Sequence, residues 1–190
     1  MGYLGSQIRF DQASTGDAEI DTRIQCAKAK FAALKNVLCN YRVHLSTRMV
    51  LLNAHVRSRL LYACQCWTPT ARQLQRIDAA YFYCLRSMVR GGHARAPSAT
   101  DAETTFRYKW TNDSLLELCK TPSAREFIRT QQHKYVAHLV RLPSSSLRKR
   151  LLFTLNKKGH FQNVAIMDQV VNSTGGDKYS IYKAALERKV

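Results

Sequence analysis

Ile20, Ile24, Ala27, Phe31, Leu34 and Leu38 recur at spacings of four, three, four, three and four residues. That rhythm gathers apolar side chains on one face of an α-helix and on neither face of a strand. A helix patterned in this way has to bury its stripe against a partner. Two further stripes supply candidates. Met49, Leu52, Val56, Leu60, Ala63 and Trp67 predict a second helix, with Ser46 as its N-cap and Leu45 and Val50 placed for a hydrophobic staple. Pro69 is expected to end it. Leu74, Ile77, Tyr81, Leu85 and Met88 predict a third, opened by a Thr70/Gln73 capping box and closed by Gly91-Gly92. Short connections make the three helices neighbours, so the expected fold is mainly α, a helical bundle.

The flanks are less regular. Tyr3 to Phe10 is β-prone and Asp11 to Gly16 is turn-rich, so a short N-terminal strand and turn should precede a helix entered at Asp17. The expected organisation is a strand and turn over residues 1–16, a basic three-helix bundle over 17–92 and a linker over 93–112. A second helical segment over 113–155 and a polar tail over 156–190 complete it. Within the second segment, a short helix starts at Asp113 and Thr121-Pro122 opens a longer one running to Leu142. Ser144 to Ser146 cap one more.

Charge sets the partner. The chain carries a formal net charge of +17. Between residues 22 and 100 there are thirteen Lys and Arg and a single acid, Asp78. Such a surplus repels itself in the folded state and points to an acidic partner. Arg predominates, and its planar fork of donors suits phosphate oxygens. No apolar run nears the roughly 20 residues that span a bilayer, and no secretory segment follows Met1. The opening Met-Gly-Tyr-Leu-Gly-Ser fits the bare myristoylation pattern but reads better as a strand. Six irregularly spaced Cys read as small buried residues in a reducing compartment. The expectation is therefore an intracellular protein, nuclear or cytoplasmic, neither secreted nor bound to a membrane.

The residues offer no catalytic centre. Two-metal enzymes need clustered carboxylates, and the one tight group, Asp17, Glu19 and Asp21, sits where a helix start explains it. His133 and His138, five residues apart, diverge by about 140° around a helix, and no Cys pair stands at zinc-finger spacing. No phosphate-binding glycine loop or nucleophile elbow is present. What remains is basic residues interleaved with aromatics: Tyr41-Arg42, Arg57 to Tyr62, and Arg76 to Arg90 with Tyr81, Phe82 and Tyr83. Lys134, His138 and Arg141, spaced four and three, share a helix face beside Tyr135. Such a surface can grip phosphates and stack against bases.

Several of these runs resemble one family. Tyr3-Leu4-Gly5-Ser6-Gln7-Ile8 resembles the primer grip, K-Y-L-G-x-x-I, of reverse transcriptases from non-LTR (LINE-type) retrotransposons. Met1-Gly2 stands in place of the usual Phe-Lys, so a truncated start is expected. Asp17-Ala18-Glu19-Ile20 with Arg23-Ile24 is similar to the D-A-E-I-x-x-R-I opening of the thumb helix that follows. Leu52 to Ser58 and Leu61 to Thr68 resemble its L-N-A-x-V-R-S and L-L-Y-G-x-x-x-W-T signature. Leu74, Arg76-Ile77, Cys84-Leu85-Arg86 and Met88 fit the next helix. Lys134 to Arg141 resembles R-x-x-Y-x-G-H-x-x-R beyond the thumb, with Ala137 replacing the common Gly. The likeness covers roughly residues 3–155, and its specificity lies in the order and spacing of the motifs.

The resemblance implies a C-terminal piece of an RNA-directed DNA polymerase: primer grip, thumb and connection. The parent family's catalytic aspartates lie in a palm that would precede Met1, so the chain alone is expected to be inactive. It is expected to hold no cofactor, Mg2+ belonging to that missing palm. The implied partners are an RNA template, a cDNA or target-DNA primer and the rest of the reverse transcriptase. Tyr3, Leu4 and Gly5 would position the primer end. Arg48, Arg57 and Arg59 are the foremost expected phosphate contacts, then Lys28, Lys30 and Lys35, with Lys134, His138 and Arg141 beyond the thumb. Two other readings fit the composition: a free-standing basic helical module for nucleic acid, or a protein–protein adaptor with an acidic partner.

Overall fold

A computed structural model describes residues 2–3, 6–7, 15–97, 106–108, 110–143 and 145–148. The protein is mainly helical. Two compact units divide it, one of residues 1–62 with 69–124, the other of 63–68 with 125–190.

In the first unit, β1 (Gly2–Tyr3) pairs antiparallel with β2 (Ser6–Gln7). Helix α1 (Thr15–Ala33) follows, then the single turn α2 (Lys35–Leu38). The predicted stripe is the buried face: Ile20, Ile24, Ala27, Phe31 and Leu38 are buried, and Leu34, at the break between the helices, is half-buried. Helix α5 (Ala71–Met88) lies against α1. Its capping box forms as the sequence predicts: Thr70 N donates to Gln73 Oε1 at 2.8 Å and Gln73 N to Thr70 Oγ1 at 3.3 Å. Two of the orphan donors of the first turn are thereby satisfied. Ile77, Tyr81, Leu85 and Met88 are buried along one face of α5.

Helices α1 and α5 run parallel. At their N-terminal ends, Asp17 accepts from Gln73 Nε2 at 3.0 Å and from Arg76 at 3.1 Å, and Arg76 also pairs with Asp21. These pairs are exposed, so each contributes less than about 1 kcal/mol. They nevertheless fix the register of the two helices. Asp17 in the first turn is thus explained by partners on α5 as well as by the dipole of α1, Asp21 by Arg76, and Glu19 by Arg23 on α1 itself.

The second predicted helix departs from expectation three times. It starts at Leu45, and His44 is the cap, its Nδ1 accepting from Ser46 N at 3.3 Å. Ser46 therefore lies inside the helix, and its hydroxyl meets the His44 ring at 2.7 Å. No staple forms, because Val50 is 66% exposed. Finally, the helix is not continuous to Trp67. Helix α3 (Leu45–Leu52) widens into a π turn, Asn53–Arg57, then closes as α4 (Ser58–Leu60). Leu52, Val56 and Leu60 are spaced by four, which on an α-helix drifts about 40° per step. The wider turn takes up that drift, and all three stay fully buried against α1 and its neighbours. The stop then comes at Ala63, left-handed at φ 56°, well before Pro69.

After α5 the chain reverses through Gly91 at φ 70°. Gly92 follows so closely that a Cβ there would sit 2.1 Å from the Arg86 carbonyl oxygen. The segment expected to be a linker holds an antiparallel ladder, β3 (Arg95–Pro97) with β4 (Phe106–Tyr108). Helix α6 (Asn112–Cys119) is capped by Thr111, whose hydroxyl accepts from Ser114 N, and packs on α3 and α5 through Leu115 and Cys119.

Helix α7 (Ala124–Arg141) forms most of the described second unit. It begins after Thr121-Pro122 rather than at it, because Thr121 is buried with its hydroxyl engaged by Tyr81 and Arg57. In this unit Gln132 is buried and donates to the Trp67 carbonyl at 2.8 Å. The expected helix beyond Ser146 and the tail over 156–190 lie outside the described residues, apart from Leu147 and Arg148.

Two substitutions should move stability in opposite directions. Ala63→Gly relieves a left-handed alanine and should stabilise by about 1 kcal/mol. Gly92→Ala drives a methyl into the end of α5 and should destabilise by about 2 kcal/mol. Urea titration of the two variants beside the parent measures both.

Candidate nucleic-acid interface

The arginines of the basic block divide into interior and surface groups. Arg48 is the main correction to the expected interface. It is only 6% exposed. Its Nε donates to the Val43 carbonyl at 3.0 Å, and one terminal nitrogen reaches the carbonyls of Leu38 at 3.1 Å and Met88 at 2.5 Å. Leu38 ends α2 and Met88 ends α5, so these carbonyls lack intrahelical partners and carry the negative ends of two helix dipoles. A guanidinium satisfies them together, and for that reason Arg48 faces inward instead of toward a phosphate.

Arg86 and Arg23 are interior as well. Arg86 donates to the carbonyls of Gly92 at 3.3 Å and Trp110 at 2.7 Å and to Asn112 Oδ1 at 2.6 Å. Burial lowers its pKa, with the nearby Tyr108 opposing. Arg23 pairs with Glu19 at 2.7 Å and covers the Tyr62 ring at 4.6 Å. Arg57 is half-buried and donates to Thr121 Oγ1 at 3.2 Å, and that oxygen meets the Tyr81 hydroxyl at 2.8 Å. Burial pushes the Tyr81 pKa up, while the Thr121 hydroxyl and Arg57 pull it back. Arg57 is therefore part of the packing between the π turn and α5. Arg59 is exposed.

The remaining expected contacts are on the surface. Lys28 and Lys35 are exposed and Lys30 is half-buried. Lys28 and Lys35 line an open groove of about 1080 Å³ between α1 and α5. One wall is the α1 column Asp21, Gln25, Lys28 and Ala32, continued by Lys35 on α2; the other is Arg76, Ala79, Tyr83 and Ser87 on α5. Spacings of three and four explain both walls: each is the helix column next to a buried stripe. Phe31 meets Tyr83 in the groove edge to face, centroids 6.5 Å apart.

Lys134, His138 and Arg141 are all exposed on α7, as their spacing predicts. Tyr3 lies in β1, whereas Leu4 and Gly5 lie outside the described residues. Among the described residues, no group of three or more His, Cys, Asp or Glu is placed to hold a metal ion. Burial pushes the Cys84 thiol up to about 12 and Cys119 up to about 11, so both are held as protonated, unreactive packing groups.

Sequence reasoning passed over His93 and Tyr108. The first follows a glycine pair and the second lies in the expected linker, so neither carries a periodic signal. The reversal after α5 brings His93 beside Tyr83, and the β3–β4 ladder brings Tyr108 beside His93. No family model, curated protein or solved structure matches the chain.

The division between interior and surface arginines is measurable. Arg48→Met leaves helix-terminal carbonyls without a donor and should cost about 3 kcal/mol. Arg59→Ala, at an exposed site, should change stability by less than about 0.5 kcal/mol. Thermal or urea unfolding distinguishes them, and equal effects would refute the assignment.

The buried thiols predict a pH dependence. Their folded values lie above the ordinary 9.0. The stability they contribute is therefore complete below that value and is lost as pH rises toward their folded values. From pH 8 to pH 10 each should cost the folded state about 1 kcal/mol. Cys84→Ala should make the loss shallower in urea titrations at the two pH values.

Proposed function

We propose that this chain is a nucleic-acid-binding portion of a non-LTR retrotransposon reverse transcriptase, comprising primer grip, thumb and connection. In this reading α1, α3 with α4, and α5 form the thumb-like bundle. It grips a template–primer duplex while the palm of such an enzyme performs RNA-directed DNA synthesis and binds the magnesium. The partners are the RNA template and the cDNA or target-DNA primer, within an intracellular ribonucleoprotein.

The observation that carries the reading is what remains outside after the interior arginines are assigned. Lys28, Lys35, Arg42, Arg59, Arg72 and Arg90 are exposed on the helical unit, in a block that contains one acid. A surface of this kind suits the evenly charged backbone of a duplex, with contacts indifferent to base sequence. An RNA–DNA hybrid offers a wide, shallow minor groove for such an approach. The backbone adds support: Ala63 is left-handed where the resembled signature L-L-Y-G writes glycine, the residue that adopts this conformation without strain.

Binding of the full chain to a blunt RNA–DNA hybrid across a salt series tests the proposal. Affinity should fall linearly with the logarithm of salt. Replacing Lys28, Lys35 and Arg59 together by Gln should flatten the slope by about two to three units. Negligible affinity for the hybrid at low salt would overturn the proposal and favour an adaptor that meets an acidic protein.

A further inference from the structure

We propose that Tyr83, His93 and Tyr108 form a stacking platform for an unpaired base of a single-stranded nucleic acid, a second site beyond the duplex grip proposed above. The three rings form a row, with centroids 5.4 Å apart between Tyr83 and His93 and 6.4 Å between His93 and Tyr108. The row is built rather than accidental. Gly91 and Gly92 reverse the chain so that His93 returns beside Tyr83. The Ser87 hydroxyl donates to the Tyr83 carbonyl at 2.9 Å, so the His93 ring, 3.0 Å away, is the donor to Ser87 through Nε2. On the other flank the Arg86 guanidinium lies 4.1 Å from the Tyr108 ring centroid. Its hydrogen bonds to Gly92, Trp110 and Asn112 hold it there.

A row held this firmly from behind still presents apolar surface in front. Tyr83 is 54% and Tyr108 40% exposed, and the rings meet tilted, at 54° and 66°, rather than stacked. Tyr83 and His93 stand as a ridge between two open clefts, the α1–α5 groove of about 1080 Å³ and a second cleft of about 840 Å³ that reaches Tyr108 and Trp110. Both are large enough to admit a nucleobase.

Charge selects the occupant. The α1–α5 groove carries Lys28 and Lys35 besides the Asp21–Arg76 pair, a surplus of positive charge, whereas in the second cleft Arg86 is offset by Asp78. A phosphate backbone is therefore drawn along the lysines, and its base is directed onto Tyr83 and His93. Cations beside exposed rings suit a strand whose bases can leave their own stack, and stacking of this type tolerates any base. A duplex keeps its bases inside and cannot use the rings. The ligand is thus an unpaired stretch of RNA or DNA.

The test uses the full chain with two probes: a single-stranded oligonucleotide carrying 2-aminopurine, in oligo-U and oligo-dT forms, and a blunt RNA–DNA hybrid. The single strand should bind with quenching of 2-aminopurine. Tyr83→Leu with Tyr108→Leu should weaken single-strand binding at least about tenfold, as expected for loss of base–ring stacking. The same change should leave hybrid affinity within about twofold, since phosphate contacts alone serve the duplex. Tyr83→Phe, which keeps a ring, should bind and quench as the parent does; should the double variant fail to fold, Tyr83→Leu alone against Tyr83→Phe gives the same comparison. An unquenched probe, or a leucine variant that binds single strand as tightly as the parent, overturns the platform. Hybrid binding without single-strand quenching removes this site and leaves the duplex reading standing. Quenching without hybrid binding does the reverse.

Discussion

The first unit depends on how two parallel helices end. Helices α1–α2 and α5 start together at Asp17, Gln73 and Arg76, and they finish together at Leu38 and Met88. Parallel neighbours place like dipole ends side by side, which is unfavourable unless each end meets an opposite charge. Carboxylates occupy the N-terminal end and the Arg48 guanidinium occupies the C-terminal end. Arg48 also holds the Val43 carbonyl, in the turn that leads into α3. One planar cation therefore ties the ends of two helices to the start of a third. A lysine ammonium could not present its donors in the same spread plane.

This arrangement changes how the charge of the chain is understood. Arg23, Arg48 and Arg86 are buried, and Arg57 is half-buried. Part of the positive surplus is thus spent on the interior, where guanidinium groups satisfy carbonyls that a purely apolar core would leave bare. The surplus still outside is carried by residues such as Lys28, Lys35 and Arg59. Burial separates the arginines that the fold itself engages from the basic residues left on the surface.

Features that depend on neighbours along the chain were legible in the sequence. The Thr70/Gln73 box and the α1 stripe are local patterns, and both form. The exposure of Lys134, His138 and Arg141 follows from spacing alone. What escaped depends on distant geometry. Arg48 and Arg59 are the same residue type on one predicted helix, and only the convergence of α2 and α5 sends the first inward. Alanine itself gives no hint of a left-handed turn, and only the glycine that the resembled L-L-Y-G signature writes at that position marks the stop at Ala63. His44 replaces Ser46 as cap because an imidazole nitrogen can accept a backbone hydrogen bond, a role seldom assigned to it from sequence. The aromatic row joins a helix, a turn and a strand, and no periodicity spans those three.

The π turn at Asn53–Arg57 has a consequence for how the chain could change in length. It is equivalent to one surplus residue accommodated within a helix. Loss of exposed Ala54 would bring the buried leucines that flank Val56 from a four–four spacing to a three–four spacing, the ordinary rhythm of an α-helix. The helix would keep its apolar phase and nearly its length, because the surplus residue is taken up within one wider turn. The same deletion in α5 would rotate every later side chain by about 100° and turn the stripe out of the core. The fold thus has a position inside a helix where the loss of one residue is silent.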